Sequence, residues 1–203
     1  MSHIYSDTFF DYINQSARAS VKPFVSLLFH LIKPTTVIYL GSGRGVWMDE
    51  WRNGGAEDML VVDGDSVDRA QLAVAPEQFM AADLTQPVKT GRRFELAQSL
   101  EVGEHLPTEA SEVLVDSLTR ASDRVFSSAA VTGQGGEFHV NQQPLSFWQD
   151  LFAAKGCVVY DCVLTALKDN KDIAPLYRYN AQARAMVLAL RARRAKTVGR
   201  AAV

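Results

Sequence analysis

One short stretch, TTVIYLGSGRGVW at residues 35–47, constrains the fold more than any other part of the chain. Its apolar, β-branched first half predicts a buried strand over residues 35–40. Three glycines, Gly41, Gly43 and Gly45, follow at a spacing of two. Because glycine adopts positive φ and lets another molecule approach the main chain closely, this run predicts a tight strand-to-helix turn that faces a ligand.

A second apolar run, MLVV, ends at Asp63. A carboxylate at the end of the next parallel strand is placed to accept hydrogen bonds from both hydroxyls of a ribose. Together the two strands predict a pocket for a cofactor that contains adenosine. The dinucleotide-binding pattern G-x-G-x-x-G needs a third glycine where Val46 stands, so the spacing here differs from that of nicotinamide-binding proteins.

The rest of the chain alternates between predicted strands and predicted helices. Further strands are predicted over residues 59–63, 78–82, 94–100, 124–131, 157–164 and, from a weaker pattern, 184–190. Helices are predicted over 5–19, 21–32, 46–51, 108–121 and 144–154, with a short helix that Asp65 or Ser66 caps and that reaches Leu72. This order predicts an α/β fold with a mostly parallel, twisted sheet and helices on both faces.

Length and composition limit the class of protein. The 203 residues, 47% hydrophobic and 22% charged, fit one globular, cytoplasmic domain. A net charge of −2 gives no general attraction to nucleic acid or to anionic membranes, and the longest apolar run is far shorter than the roughly 20 residues of a membrane span. Cys157 and Cys162 match neither a zinc motif nor a redox pair, so they are interpreted as reduced packing residues.

From about residue 35 to residue 161 the chain resembles the class I S-adenosylmethionine-dependent methyltransferase family. The matching segments are YLGSGRGVW, VVDGD, AADLTQP, FELAQSLEVGEHLP, FSSAAVTGQGGEFHVNQQPLSFWQDLF and GCVVYD. The order and spacing are most similar to a bacterial group with LEVxEH and HVN segments. The resemblance implies a Rossmann-like domain over residues 35–191, preceded by a helical cap at 1–34 and followed by a basic, disordered tail at 192–203.

The resemblance also implies roles for residues at the ends of four strands. Those implied to hold S-adenosyl-L-methionine are Tyr39, Gly41, Ser42, Gly43, Gly45, Trp47, Asp63, Gly64, Asp83, Leu84, Leu100 and Glu101. In this scheme Asp63 holds the ribose, Asp83 faces the adenine and Glu101 lines the sulfonium end. The family usually has an acidic residue at the position of Tyr39. Weaker binding, compensation by another acid, and loss of activity therefore all stay open.

Glu101, Glu104 and His105 form E-x-x-E-H after the fourth strand, and His139 follows the fifth. In related methyltransferases such a segment with a distal histidine binds a divalent metal, which implies Mg²⁺, Mn²⁺ or Zn²⁺ on these four residues. Two carboxylates with imidazole suit such ions, and a bound metal lowers the pKa of a hydroxyl. A metal-free site with His105 or His139 as general base beside Glu104, and a purely structural role, are the alternatives.

The favoured function is O-methylation of a small-molecule acceptor such as a specialised metabolite or a sugar. The segment AQSLEV stands where amino-group and base methyltransferases often carry N-P-P-Y, which favours oxygen as the acceptor atom. An RNA 2′-O-methyltransferase with a metal-assisted site and a cofactor-binding accessory protein without turnover are the alternatives. An apolar first helix is compatible with a homodimer.

Overall fold

The computed structural model describes residues 21–134, 136–160, 166–167, 169–171, 173 and 184–191. Within this part, seven strands form one sheet in the order β3-β2-β1-β4-β5-β7-β6. Their bounds are β1 Thr36–Leu40, β2 Asp58–Asp63, β3 Phe79–Ala81, β4 Leu96–Leu100, β5 Arg124–Ala130, β6 Cys157–Tyr160 and β7 Arg184–Arg191. Strands β1 to β5 pair in parallel, and β7 is antiparallel to both β5 and β6. The predicted mostly parallel sheet is confirmed, as is the weakly predicted last strand.

Helices cover both faces of the sheet. They are α1 at residues 21–32, α2 Trp47–Gly54, α3 Ser111–Ala121 and α4 Leu145–Ala154. Apolar residues of α1 and α2 share one core cluster with Val37 of β1 and Phe126 of β5. Residues of α3 and α4 share the other cluster with Ile38 and Val125. Neighbouring residues of one strand thus face opposite cores, as the period of two in a strand requires.

Strand order reverses between β1 and β4, because the chain places β2 and β3 on one side of β1 and all later strands on the other. Right-handed crossovers bring the carboxyl ends of parallel strands to a common edge. Ligands of open α/β sheets bind outside that edge, at the point of reversal. The segments that follow β1, β2 and β4 are therefore the first place to examine for a site.

Two local predictions are wrong. The short helix predicted to reach Leu72 is a single 3₁₀ turn, Arg69–Gln71, and its cap is Asp68, whose Oδ1 accepts from the Ala70 amide at 2.9 Å. Asp65 instead forms an exposed ion pair with Arg69 at 2.7 Å. A local pattern could not choose among three adjacent polar residues, each of which is able to cap a turn.

The predicted helix 108–121 is divided into a 3₁₀ turn, Thr108–Ala110, and α3. Thr108 does not cap the helix, because its hydroxyl donates to Asn141 Oδ1 at 2.8 Å. Strand β4 begins at Leu96 rather than at residue 94, since Phe94 makes only an isolated bridge with Ser122. The predicted helix 5–19, the tail 192–203 and Cys162 lie outside the described residues, whereas Cys157 is buried. No helix in the described ranges is long and apolar enough to cross a membrane.

A buried polar pair lies between α2 and the sheet. Trp51 Nε1 donates to Gln98 Oε1 at 2.9 Å, and both side chains are fully buried. The Gln98 amide nitrogen makes no hydrogen bond within the described residues. Within the described residues, the pair therefore satisfies the Trp51 N–H but neither N–H of the Gln98 amide.

Replacing Gln98 by methionine is expected to affect the free energy of unfolding differently in two backgrounds. The change in this free energy is expected to be more favourable in a Trp51→Phe background than in the native chain, by about 1–3 kcal/mol. In the native background the change leaves the Trp51 N–H without its acceptor, whereas in the double variant no polar atom of the pair remains. Urea denaturation of the native protein, both single variants and the double variant measures this coupling. Additive effects would contradict the expectation.

Candidate functional site

The glycine turn after β1 is held against the end of β2. The amides of Gly41 and Ser42 both donate to the Val62 carbonyl, at 2.8 and 3.4 Å. Gly41 has a φ of +77°, and a Cβ built on it would lie 2.2 Å from Val102 Cγ2. The turn therefore needs glycine at this position for two reasons, its backbone conformation and the close approach of Val102 from the segment after β4.

Asp63, the last residue of β2, joins two backbone segments through its carboxylate. Oδ2 accepts from the Gly43 amide at 2.6 Å, and Oδ1 accepts from the Gly64 amide at 2.7 Å. Burial raises the pKa of the Asp63 carboxyl, while the two amide hydrogen bonds oppose that rise. Each carboxylate oxygen can accept more than one hydrogen bond, so this geometry is compatible with ribose hydroxyls as further donors.

Tyr39 and Trp47 lie in the hydrophobic core on the α1–α2 face. Tyr39 is only 4% exposed, and Trp47 packs against Phe24 with ring centroids 6.0 Å apart. Arg44, which the sequence pattern did not single out, is also buried, within the glycine turn itself. A long cationic side chain in a glycine-rich turn is expected to be exposed, so no sequence signal pointed to this burial.

Asp83 follows β3 and organises a turn. Its Oδ1 accepts from both the amide and the hydroxyl of Thr85, at 2.9 and 2.8 Å, and its carbonyl accepts from the Gln86 amide. Leu84 is buried beside it. The residue is thus placed at the same edge of the sheet as Asp63, one strand further from the point of reversal.

Glu101 directly follows β4 and has an unusual backbone conformation, with a φ of +56°. Ser128 of β5 holds it there, because the Glu101 amide donates to the Ser128 carbonyl at 3.0 Å and the Ser128 hydroxyl donates to Glu101 Oε1 at 2.7 Å. A non-glycine residue at positive φ persists only when its surroundings impose it, and such residues concentrate at functional sites.

Three of the four residues predicted as metal ligands come together. Glu104, His105 and His139 each offer one ligand atom, and these atoms lie within 4.8 Å of one another. Glu104 is fully buried, and the two imidazole rings are nearly perpendicular with centroids 4.8 Å apart. Glu101 is not part of this group, and its carboxylate instead accepts from Ser128.

The orientation of Gln142 determines the tautomer of His139. Gln142 Oε1 accepts from the Gly133 amide at 3.2 Å, which turns its amide nitrogen toward His139 Nδ1, 3.1 Å away. Because that nitrogen can only donate, Nδ1 is the acceptor and the proton of a neutral His139 resides on Nε2. The ring also lies against Gly136, where a Cβ would be 2.2 Å from His139 Cε1.

Asn141 connects the segment that carries His139 to the segment that carries Glu104. Its amide nitrogen donates to the Gly103 carbonyl at 3.0 Å and to Ser111 Oγ at 2.9 Å. Its Oδ1 accepts from Thr108 and from Gln143. The side chain is 1% exposed, so it forms a fully bonded, buried junction. The sequence did not predict this role for Asn141, since a single asparagine in a loop gives no signal of it.

Substituting Asn141 with alanine is expected to lower the free energy of unfolding by about 2–4 kcal/mol, because several buried groups lose their partners together. Urea denaturation measures this loss. Asn53→Ala is the matched control, since Asn53 is exposed and makes one long hydrogen bond of 3.4 Å to Glu50. Equal stability losses in the two variants would contradict the proposed junction.

No protein-family model matches the sequence, and no curated protein matches it. The structure is similar to an O-methyltransferase family protein from Burkholderia thailandensis, with a TM-score of 0.67 and 10% identity over 92% of this chain and 59% of that one. It is also similar to Streptomyces venezuelae DesVI, with a TM-score of 0.64 and 12% identity over 94% of this chain and 100% of that one.

A third similar structure is magnesium protoporphyrin IX methyltransferase from Synechocystis PCC 6803 with bound S-adenosylhomocysteine. The TM-score is 0.59, with 17% identity over 95% of this chain and 90% of that one. The chain spans 59% of the length of the Burkholderia protein and 55% of human N-acetylserotonin methyltransferase. At these identities the comparisons show the fold, and the predicted Rossmann-like class I methyltransferase fold is confirmed.

Proposed function

We propose that this protein is an S-adenosylmethionine-dependent methyltransferase that acts on an oxygen atom of a small molecule. One observation carries the proposal: the carboxylate of Asp63 lies at the end of β2, within 2.6 Å of the middle glycine of a turn that follows β1. A bare backbone and an acid on adjacent strands, next to the reversal of strand order, form a site for a nucleoside. The spacing G-x-G-x-G favours S-adenosylmethionine over a dinucleotide.

In this proposal the cofactor lies along the carboxyl edge of the sheet. The glycine turn holds its methionine portion, Asp63 holds the ribose, and Asp83 with Leu84 borders the adenine. Glu101 stands on the other side of β1, because β4 is the neighbour of β1 across the reversal. The methyl group then points toward the segment that contains Glu104 and His105. Tyr39 and Trp47 support this site through packing.

Bound S-adenosylmethionine supplies an electrophilic methyl group on sulfur. An acceptor oxygen displaces that sulfur in line, so one O–C bond forms as one S–C bond breaks and the acceptor must lose its hydroxyl proton. We assign His105 as the base that takes this proton. His139 is less suited, because its Nε2 already holds a proton and its Nδ1 faces a donor from Gln142. Phe138 and Val140, both exposed beside His139, favour an acceptor with an apolar or aromatic body.

A metal on Glu104, His105 and His139 is the alternative for activating the acceptor. Two imidazoles and one carboxylate suit Zn²⁺ or Mn²⁺ better than Mg²⁺. The three ligand atoms lie within 4.8 Å of one another, whereas ligands of a tetrahedral ion with bonds near 2.1 Å lie about 3.5 Å apart. The most widely separated atoms would therefore have to approach by up to about 1 Å. Coordination through His139 Nε2 would also require the Gln142 amide to rotate and release Gly133. These two adjustments favour the metal-free base.

Incubation with labelled S-adenosylmethionine and a panel of hydroxylated aromatic and sugar acceptors tests the function. Transfer to a hydroxyl, unchanged after chelation of metals, is the expected result. Loss of transfer on chelation and recovery with Zn²⁺ or Mn²⁺ would favour the metal. Calorimetry with S-adenosylhomocysteine separates the remaining outcomes, because tight binding without any turnover would identify an accessory protein, and absence of binding would overturn the proposal.

A further inference from the structure

We propose that Asp63 is a positioning residue that sets the conformation of the glycine turn before any cofactor binds. We call its two hydrogen bonds, to the amides of Gly43 and Gly64, the Asp63 bridge. The inference rests on the proposed function and adds to it a role that is separate from contact with a ribose. It also accounts for a chain that has tyrosine where the related family usually has an acid.

The geometry of the turn supports this role. The amides of Gly41 and Ser42 donate to the main-chain carbonyl of Val62. These two hydrogen bonds therefore do not depend on which side chain residue 63 carries. The Gly43 amide instead reaches a side chain, at 2.6 Å. Gly43 has a φ of +53°, and its amide is directed at the Asp63 carboxylate at the end of β2. Only a side chain of this length with two acceptor oxygens can hold the amides of Gly43 and Gly64 together, and asparagine, which has one acceptor oxygen, cannot.

Residue 39, near the end of β1, supplies no carboxylate to the turn. Tyr39 brings no charge and lies in the core. Asp63 is on the adjacent strand, whose Val61 is in register with Tyr39. A charged acceptor makes stronger hydrogen bonds to backbone amides than a neutral one does. The carboxylate therefore organises the turn from β2.

The cost of burying the Asp63 carboxyl, which the two hydrogen bonds of the bridge only partly offset, also favours a functional role over a purely structural one. The pKa of Asp63 is raised, so the folded protein binds this proton more tightly than the unfolded chain does. The corresponding stability is fully present below the ordinary value of 3.8 and is lost as the pH rises through the raised pKa. Burial of this carboxyl thus costs stability as the pH rises, while its two oxygens provide the acceptors that the turn needs.

The test uses Asp63→Asn and two ligands, S-adenosylhomocysteine and its 2′,3′-dideoxy analogue. If Asp63 sets the turn, the substitution weakens binding of both ligands, by about tenfold or more. If Asp63 acts only on the ribose, the affinity for the dideoxy analogue, which lacks both hydroxyls, stays unchanged, and the inference is wrong. Asp58→Asn is the matched control, because Asp58 begins the same strand and pairs with Arg92 far from the turn.

A second set of measurements needs no ligand. In the ligand-free native protein, the amide proton resonances of Gly43 and Gly64 are expected to titrate together, with the pKa of one carboxyl, while that of Gly55 does not move. In Asp63→Asn, hydrogen exchange of residues 41–45 is expected to accelerate by about tenfold or more, and in Asp58→Asn to stay as in the native chain. A Gly43 amide that does not titrate, or unchanged exchange, would overturn the inference.

The two proposals fail in different ways. If the native protein binds neither ligand, the proposed function is wrong, yet the amide titration and the exchange rates still test the bridge. If the native protein binds both ligands and Asp63→Asn weakens only the binding of S-adenosylhomocysteine, the proposed function stands and the positioning role of Asp63 is wrong.

Discussion

Gly41→Ala is expected to remove cofactor binding and to lower the free energy of unfolding by about 2–6 kcal/mol. Two costs combine in this change. Alanine at a φ of +77° is strained, at about 1–3 kcal/mol. Its Cβ would also overlap Val102 Cγ2 at 2.2 Å, and overpacking of this kind costs about 1–3 kcal/mol. Urea denaturation and calorimetry with S-adenosylhomocysteine measure the two effects.

Two further variants separate strain from overlap. Gly91→Ala is the matched control, because Gly91 has a φ of +70° but no atom within 4 Å of the position that a Cβ would take. Gly91→Ala is expected to lose only the stability that the strained backbone conformation costs, with the affinity for S-adenosylhomocysteine unchanged. The double variant Gly41→Ala with Val102→Ala is expected to lose less stability than the two single variants lose in sum. The difference is expected to be at least about 1 kcal/mol, because the overlap between the two side chains is gone. Equal losses in Gly41→Ala and Gly91→Ala would contradict the role of Val102.

His105→Gln is expected to lower kcat/KM by about 10²–10⁴-fold, the range of general acid–base catalysis, while the affinity for S-adenosylhomocysteine changes by less than about threefold. The reason is that His105 takes the acceptor proton but lies outside the residues assigned to the cofactor. His139→Gln is expected to reduce kcat/KM much less, because Gln142 keeps His139 in the tautomer that holds its Nε2 proton. Steady-state kinetics across a pH series measure both variants.

His30→Gln is the control for this prediction, since His30 is exposed on α1. Similar losses in His105→Gln, His139→Gln and Glu104→Gln, together with restoration by added metal, would contradict the metal-free base and favour a metal centre. An unchanged kcat/KM in His105→Gln would show that His105 is not the base that takes the acceptor proton.

The sequence predicted most of the fold, because its signals are local. β-branched runs that end in glycine or acid identify β1 and β2, and parallel strands with helical crossovers leave few topologies. The same local logic placed Gly41 and Asp63 at one edge of a sheet. It failed at Asp68, where several adjacent residues offer the same capping chemistry and only the path of the chain selects one.

Only the assembled structure shows that the acidic residues of the candidate site belong to two separate groups. Glu101 and Glu104 look equivalent in E-x-x-E-H, yet Glu101 bonds to Ser128 on β5 while Glu104 joins His105 and His139. These contacts join residues far apart in sequence, so no spacing within one segment encodes them. The same holds for the Asn141 junction, whose partners Gly103 and Ser111 precede it by 38 and 30 residues.

The chain by itself determined which residues carry chemistry and which strand ends they follow, since residue type and hydrophobic period are properties of short segments. Only the tertiary structure decided which of those groups meet, because hydrogen bonds such as Gly43 to Asp63 form between strands whose approach depends on the packing of the whole sheet. The role of an acid in this protein therefore follows from what lies beside it in space, and its position in a motif is not enough to assign it.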